Sequence, residues 1–217
     1  MAAVERYAIL DTPPDGAFDR ITRLASTMLG MPIAIVTIVD HDRIWFKSTA
    51  GLSGVEQIDR EPGLCASAIL GHEAWVVEDA GLDPRTLANP LVAGEFGLRF
   101  YAGSPLETPD GYNLGTLCVI DRVPRELSRE QISVLDDLAA LVVDALELRL
   151  AVRRQARRAT ELNDDVVQAL TVAKMRMQLG EAEAGLAALD QALGASKRIL
   201  AEIAEDAPNF RRDEEPG

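Results

Sequence analysis

The sequence predicts an α+β protein, in which a compact domain containing a β-sheet is followed by a long helix and a second helix. Strand-forming runs and turn signals are concentrated between residues 32 and 120. No Gly or Pro interrupts the chain between Pro124 and Gly180. Because Gly and Pro are the residues that most strongly end helices, this second stretch predicts one continuous helix.

The elements of the first domain follow from local patterns. Apolar residues at helical spacing predict a helix that Asp15 caps and Gly30 ends. Two β-rich runs, 32–40 and 44–48, flank a polar turn and predict a hairpin. A turn at 108–111 separates the last two of three further predicted strands, which are 75–78, 99–104 and 114–120.

Two irregular segments, 51–74 and 79–98, are rich in Gly, Pro and polar residues. They are long for connections between strands. Long ordered loops over a sheet are common places for binding sites, so we expect these segments to carry one.

The long helix carries apolar residues in alternating steps of four and three, which is the seam of a coiled coil. Gln155 is the one polar residue of this seam, whose positions are Val134, Leu138, Leu141, Ala145, Leu148, Val152, Gln155, Ala159, Leu162, Val166, Ala169 and Ala173. A second helix repeats the pattern with Leu186, Leu189, Leu193, Ser196, Leu200 and Ile203. The two helices are predicted to form an antiparallel hairpin. One hairpin buries little apolar surface, so we expect a homodimer with a four-helix bundle.

Composition limits the possible functions. The 217 residues are 47% hydrophobic, which supports a buried core, and 22 Lys and Arg against 35 Asp and Glu give a net charge of −13. That charge argues against nucleic acid and anionic membrane partners. The chain has no apolar run near 20 residues and no signal-like start, so we expect a cytoplasmic protein away from the membrane. Two His and two Cys argue against a metal site.

Several stretches of the first domain resemble the GAF family, in the form found ahead of bacterial kinases and cyclases. They are 9–13, 39–40, 45–47, 64–66, 83–85, 89–92, 99–106 and 115–121. The resemblance implies a six-stranded antiparallel sheet with helices on one face, a ligand-sized cavity on the other, and a dimerising terminal helix. It names no ligand, and no cofactor is predicted.

The predicted ligand-binding residues are those that this resemblance and the loops would place around a cavity: Trp45, Cys65, Asp79, Arg85, Asn89, Arg99 and Tyr101. The alternative is structural. Arg85 and Arg99 would then pair with Asp79 or Asp83 and fasten the loops to the sheet, because buried charges need partners with or without a ligand.

The two cysteines, Cys65 and Cys118, raise the alternative of a thiol reductase, since free-methionine-sulfoxide reductases are GAF enzymes. Such chemistry needs a thiolate of low pKa and a resolving thiol. Neither cysteine has a flanking cation, and Cys118 falls in a predicted core strand. We therefore expect buried, inert thiols.

The hairpin, from Glu161 to about Ile203, resembles the dimerisation and phosphotransfer hairpin of histidine kinases. Asp164 and Gln168 match that pattern, but Asn163 stands where the phosphoacceptor His is expected. The resemblance implies a pseudo-kinase that docks a response regulator or kinase without autophosphorylation. Regulator phosphatase activity through Asp164 and Gln168 is one alternative, and an exposed helix face without a role is another.

A basic cluster on the linking helix keeps a nucleic acid alternative open. Five arginines, at 149, 153, 154, 157 and 158, lie in this stretch. Some GAF proteins end in an RNA-binding antiterminator domain, but a solvated helix face is the ordinary reading. We thus predict a GAF sensor domain at 1–149, a helical linker and hairpin at 150–206 and a polar tail at 207–217, together forming a non-catalytic regulator of two-component signalling.

Overall fold

The computed structural model of the protein describes residues 2–61 and 63–205, and the chain divides after Leu150 into two compact units. The predicted polar tail and the side chain of Ile203 lie outside the described part of the structure. None of the helices in the described part is both long enough and apolar enough to cross a membrane.

The first unit confirms the predicted fold class. Its six strands form one sheet in the order β3-β2-β1-β6-β5-β4, with every neighbouring pair antiparallel. In chain order the elements are α1 (Ala2–Tyr7), α2 (Gly16–Leu29), β1 (Ile33–Val39), β2 (Arg43–Ala50), β3 (Gln57–Asp59), α3 (Cys65–Ala68), β4 (Trp75–Val77), α4 (Pro90–Ala93), β5 (Phe100–Glu107), β6 (Asn113–Asp121), α5 (Arg129–Gln178) and α6 (Ala182–Glu205).

The predicted first helix, α2, ends where its caps require. The side chain of Asp15 accepts a hydrogen bond from the backbone N–H of Ala17, which satisfies one of the free donors of the first turn. At the other end Gly30 adopts φ 64°, the left-handed conformation that closes a helix at low cost when the residue is Gly. Both signals were readable in the sequence.

Each face of the sheet carries its own buried apolar cluster. On one face, α1, α2 and the first turns of α5 pack against the strands, with Tyr7, Phe18 and Leu135 among the largest buried side chains. On the other face, α3 and the loops around it cover a second cluster that includes Cys65 and Tyr101. The second face therefore holds packed side chains where the sequence predicts a ligand.

Four short elements, α1, β3, α3 and α4, were not predicted. Each has three to six residues. A periodic pattern needs more residues than that to distinguish a helix or a strand from a loop. β3 forms through pairing with the edge of β2, where Arg43 lies opposite Asp59. Such pairing depends on tertiary contacts, which the local sequence does not show.

In the second unit, α5 continues to Gln178 and a turn at Gly180 leads into α6. Gly180 has φ 84°, which again favours Gly over other residues. The two helices line shared grooves, and Ala173 is buried between them. Other large apolar side chains of this unit remain about half exposed, among them Val167, Leu170, Leu186, Leu193 and Leu200.

Candidate functional site

Asp79 and Arg99 form an ion pair at the start of β5. Arg99 Nε and Nη2 donate to the two carboxylate oxygens of Asp79, each at 2.7 Å. Asp79 also accepts the backbone N–H of Gly81 at 3.0 Å. The Arg99 hydrogen bonds lower the pKa of Asp79. The pair fastens the loop after β4 to the sheet, which is the structural role weighed from the sequence.

Arg85 makes its described contacts within the same loop and with β4. Its Nε donates to Asp83 at 2.9 Å, and its guanidinium lies 5.3 Å from the centre of the Trp75 ring. Asn89 caps α4 by accepting the backbone N–H of Leu91 at 2.8 Å. These groups stabilise the loop, and direct ligand contact by them stays a prediction.

Cys65, Cys118 and Tyr101 meet on the face of the sheet that α3 covers. The two Sγ atoms lie 3.9 Å apart and both residues are buried. Tyr101 is 1% exposed, and its hydroxyl has no well-formed hydrogen bond within the described residues. A Cβ at position 103 would lie 2.3 Å from that hydroxyl oxygen, so Gly103 leaves the space that the Tyr101 side chain occupies on the same strand.

The contacts in this cluster shift the pKa values of the two thiols in opposite directions. Hydrogen bonding from Cys118, opposed by burial and helped by the hydroxyls of Thr116, Tyr101 and Thr37, lowers the pKa of Cys65. The same contact and burial raise the pKa of Cys118 well above its ordinary value. The cysteines are buried as expected, but their proximity was not predicted, because 53 residues separate them in the sequence.

Trp45 lies on the opposite face, beside a residue that the sequence analysis did not select. Lys47 is only 4% exposed, and its Nζ donates to Thr12 Oγ1 at 2.9 Å and to the carbonyl of Pro13 at 2.7 Å. The ring centres of Phe18 and Trp45 lie 5.3 and 5.7 Å away. Burial, with some repulsion from Arg149, lowers the pKa of Lys47.

A cavity of about 480 Å³ opens next to Lys47, and the segment before α2, together with Asp19 of α2, forms one wall. The other wall belongs to β2 and the residues just after it. The lining residues are Asp11, Thr12, Pro13, Pro14, Asp19, Trp45, Phe46, Lys47, Ser48, Thr49, Val55 and Glu56. The sequence carried one signal for this site, because Lys47 stands two residues after Trp45 and therefore shares its inward face of the strand.

On α5, Asn163, Asp164 and Gln168 are all exposed, as their helical spacing predicts. Within the described residues, no group of three or more His, Cys, Asp or Glu side chains could hold a metal ion.

Known proteins resemble this chain in sequence and in fold. The model of the GAF domain matches residues 13–146. The chain is 44% identical over 143 residues to the cyclic di-GMP phosphodiesterase PA2567 of Pseudomonas aeruginosa, a match that covers 65% of this chain and 24% of the relative. The chain thus spans about a quarter of the length of this curated relative.

Solved structures share the fold at low identity. The GAF domain of an Acinetobacter phosphoenolpyruvate-protein phosphotransferase is 18% identical, with a TM-score of 0.54, over 70% of this chain and 94% of that one. A domain of a putative two-component sensor histidine kinase protein from Sinorhizobium meliloti 1021 is 17% identical, with a TM-score of 0.51, over 64% and 96%. At these identities the likeness shows the fold alone.

The prediction of a two-component pseudo-kinase regulator is wrong. The curated relative is a cyclic di-GMP phosphodiesterase, and the alternatives of a regulator phosphatase, an RNA antiterminator and a thiol reductase do not match it either. The kinase resemblance depended on Asp164 and Gln168. Polar residues at i and i+4 are also what any solvated helix face carries, so the pattern did not discriminate between functions.

Proposed function

Because the chain belongs to the GAF domain family, we propose that it is a regulatory sensor module of cyclic di-GMP signalling. The observation that carries this proposal is the 44% identity over 143 residues to a cyclic di-GMP phosphodiesterase, of which the matched part is 24%. The matched segment is only a quarter of that enzyme, so we assign this chain a regulatory role without catalysis of its own.

The output of the module is proposed to pass through α5. The first turns of this helix belong to the core of the first unit, where Leu135, Val142 and Leu146 are buried against the sheet. The same helix continues to Gln178. A ligand that alters packing under α5 would thereby act on the part of the helix that follows.

We further propose that the helices pair with a second copy. Leu148 and Val152 on α5 and Leu186 and Leu193 on α6 are each more than half exposed. Apolar surface favours burial by about 25 cal/mol per Å². A two-helix hairpin with such a face is completed by a second hairpin, and an identical copy supplies a face of the same chemistry.

The test is made in the organism that encodes the chain. Cellular cyclic di-GMP is measured by mass spectrometry with the gene present, deleted, and restored as wild type or as the double variant Leu186→Asp/Leu193→Asp. Leu82→Asp is the matched control, because Leu82 is also an exposed Leu but lies in a loop of the first unit. We expect deletion to change the cyclic di-GMP level, with restoration by the wild type and by Leu82→Asp but not by the double variant. An unchanged level after deletion would refute the regulatory role.

A further inference from the structure

The ammonium group of Lys47 is buried beside a cavity and makes no direct ion pair with a carboxylate of the described chain. Its two hydrogen bonds go to a neutral hydroxyl and a neutral carbonyl, of Thr12 and Pro13. No Asp or Glu in the described chain lies within ion-pair distance of it. An ammonium group has three donors, so one remains for another partner. Burying a charge is costly unless it is paired.

A second cation lies within electrostatic reach. Burial and then repulsion from Arg149, on α5, lower the pKa of Lys47, while Asp15 and Asp19 oppose this shift. The Nη1 of Arg149 donates to Asp15 at 3.2 Å, but its Nε is buried and has no hydrogen-bond acceptor in the described part of the chain. Lys47 and Arg149 therefore each keep an N–H donor without an acceptor in the described part of the chain.

The nearby carboxylates are engaged by other donors. Arg43 holds Asp11 through two hydrogen bonds, at 3.0 and 2.7 Å. Ser48 donates to Asp19 at 2.6 Å. Asp15 accepts the N–H of Ala17 at 3.0 Å in addition to Arg149. Asp15 and Asp19 attract Lys47 only from beyond ion-pair distance, so a direct partner for its third donor would come from outside the described chain.

We propose that the cavity beside Lys47 is a binding site for a small monocarboxylate with an apolar body, whose carboxylate pairs with the Lys47 ammonium group. The cavity volume of about 480 Å³ lies in the usual range for small-molecule sites. Trp45, Pro13 and Val55 supply apolar walls for the body of the ligand. Asp11, Asp19 and Glu56 also line the cavity and disfavour a ligand with several negative charges, such as a nucleotide.

The site is placed to influence α5. Residues 11–14 line the cavity, and the next residue, Asp15, both caps α2 and binds Arg149 of α5. A ligand that moves this segment would therefore act on the contact with the proposed output helix. This step rests on the proposed function, whereas binding itself does not.

The experiment is calorimetric titration of the purified full chain with benzoate and with its neutral isostere benzamide. We expect benzoate to bind and benzamide to bind at least roughly tenfold more weakly, because only benzoate pairs with the ammonium group. Lys47→Met should weaken benzoate binding by a similar factor, whereas Lys197→Met, on the exposed surface of α6, should leave it unchanged.

A second variant protects the test against misfolding. Val55→Trp fills the cavity from its partly exposed rim and leaves Lys47 in place. It should abolish benzoate binding while its circular dichroism stays that of the wild type. The proposal is overturned if benzoate does not bind, if benzamide binds equally well, or if folded Val55→Trp binds benzoate like the wild type. Such a failure would leave the cyclic di-GMP role untouched, since that role is read from cells rather than from benzoate binding.

Discussion

Arg149 on α5 donates a 3.2 Å hydrogen bond to Asp15, the residue whose side chain also caps α2. One carboxylate thus connects the start of a core helix to the helix that we propose as the output. Replacement of Asp15 with Ala removes the cap and the ion pair together, whereas Asn keeps an oxygen that can cap.

Asp15→Ala should lower the free energy of unfolding by about 1–2 kcal/mol, mainly through the lost cap. Asp15→Asn should cost less than about 1 kcal/mol, because a partly exposed ion pair contributes little. Urea denaturation of the two variants and the wild type measures both values. Equal losses for Ala and Asn would show that the cap is not the main contribution.

The lowered pKa of Lys47 predicts that the free energy of unfolding rises with pH in the alkaline range. Burial, Arg149 repulsion and the opposing attraction of Asp15 and Asp19 leave its folded-state pKa below the ordinary value. The folded state then binds fewer protons than the unfolded state in the window between the two pKa values. Stability conferred by the neutral amine is fully present above about pH 10.4 and is lost as pH falls through the folded-state pKa.

The measurement compares urea unfolding of the wild type and Lys47→Met from neutral pH to about pH 10.4. The wild type should gain stability relative to the variant as pH rises. A relative loss over the same window would mean that the folded state stabilises the charged amine.

The lowered pKa of Asp79 predicts a loss of stability in the acidic range. Arg99 lowers its pKa in the folded state, so the stabilisation is present above the unfolded value near 3.9 and is lost as pH falls through the folded-state pKa. Asp79→Asn should therefore lose less stability than the wild type on acidification. Unfolding midpoints at neutral and acidic pH test this expectation, and parallel losses in the two proteins would contradict it.

Cys65 and Cys118 should differ in reactivity. The hydrogen bond between the two thiols lowers the pKa of Cys65, whereas the same contact and burial raise the pKa of Cys118, so Cys65 is the more readily ionised of the pair. Brief treatment with iodoacetamide, followed by peptide mass spectrometry, should find Cys65 alkylated first. Cys118→Ala removes the hydrogen bond that most lowers the pKa of Cys65 and should slow alkylation of Cys65. Earlier labelling of Cys118 would be inconsistent with this assignment.

Much of the fold was readable because its signals are local. Asp15 and Gly30 mark the ends of α2 by their own chemistry, and the strands and the long helix carry their periods over enough residues to be counted. β3 was not readable, because its three residues become a strand only by pairing with β2.

The candidate site was less predictable, since it is formed by long-range contacts. The charge pairing of Asp79 with Arg99 was anticipated as one alternative, because buried charges need partners. The cavity at Lys47 depends on how the segment before α2 lies against β2, which no local pattern specifies. The approach of Cys65 to Cys118 likewise needs the covering of the sheet by α3.

The central claim is that the module works as a pair of chains joined through α5 and α6. Sedimentation equilibrium at micromolar concentration tests it most directly. The account predicts twice the 23.5 kDa mass of one chain for the wild type and for Leu82→Asp, and 23.5 kDa for Leu186→Asp/Leu193→Asp. A wild-type chain that sediments at 23.5 kDa would contradict the account.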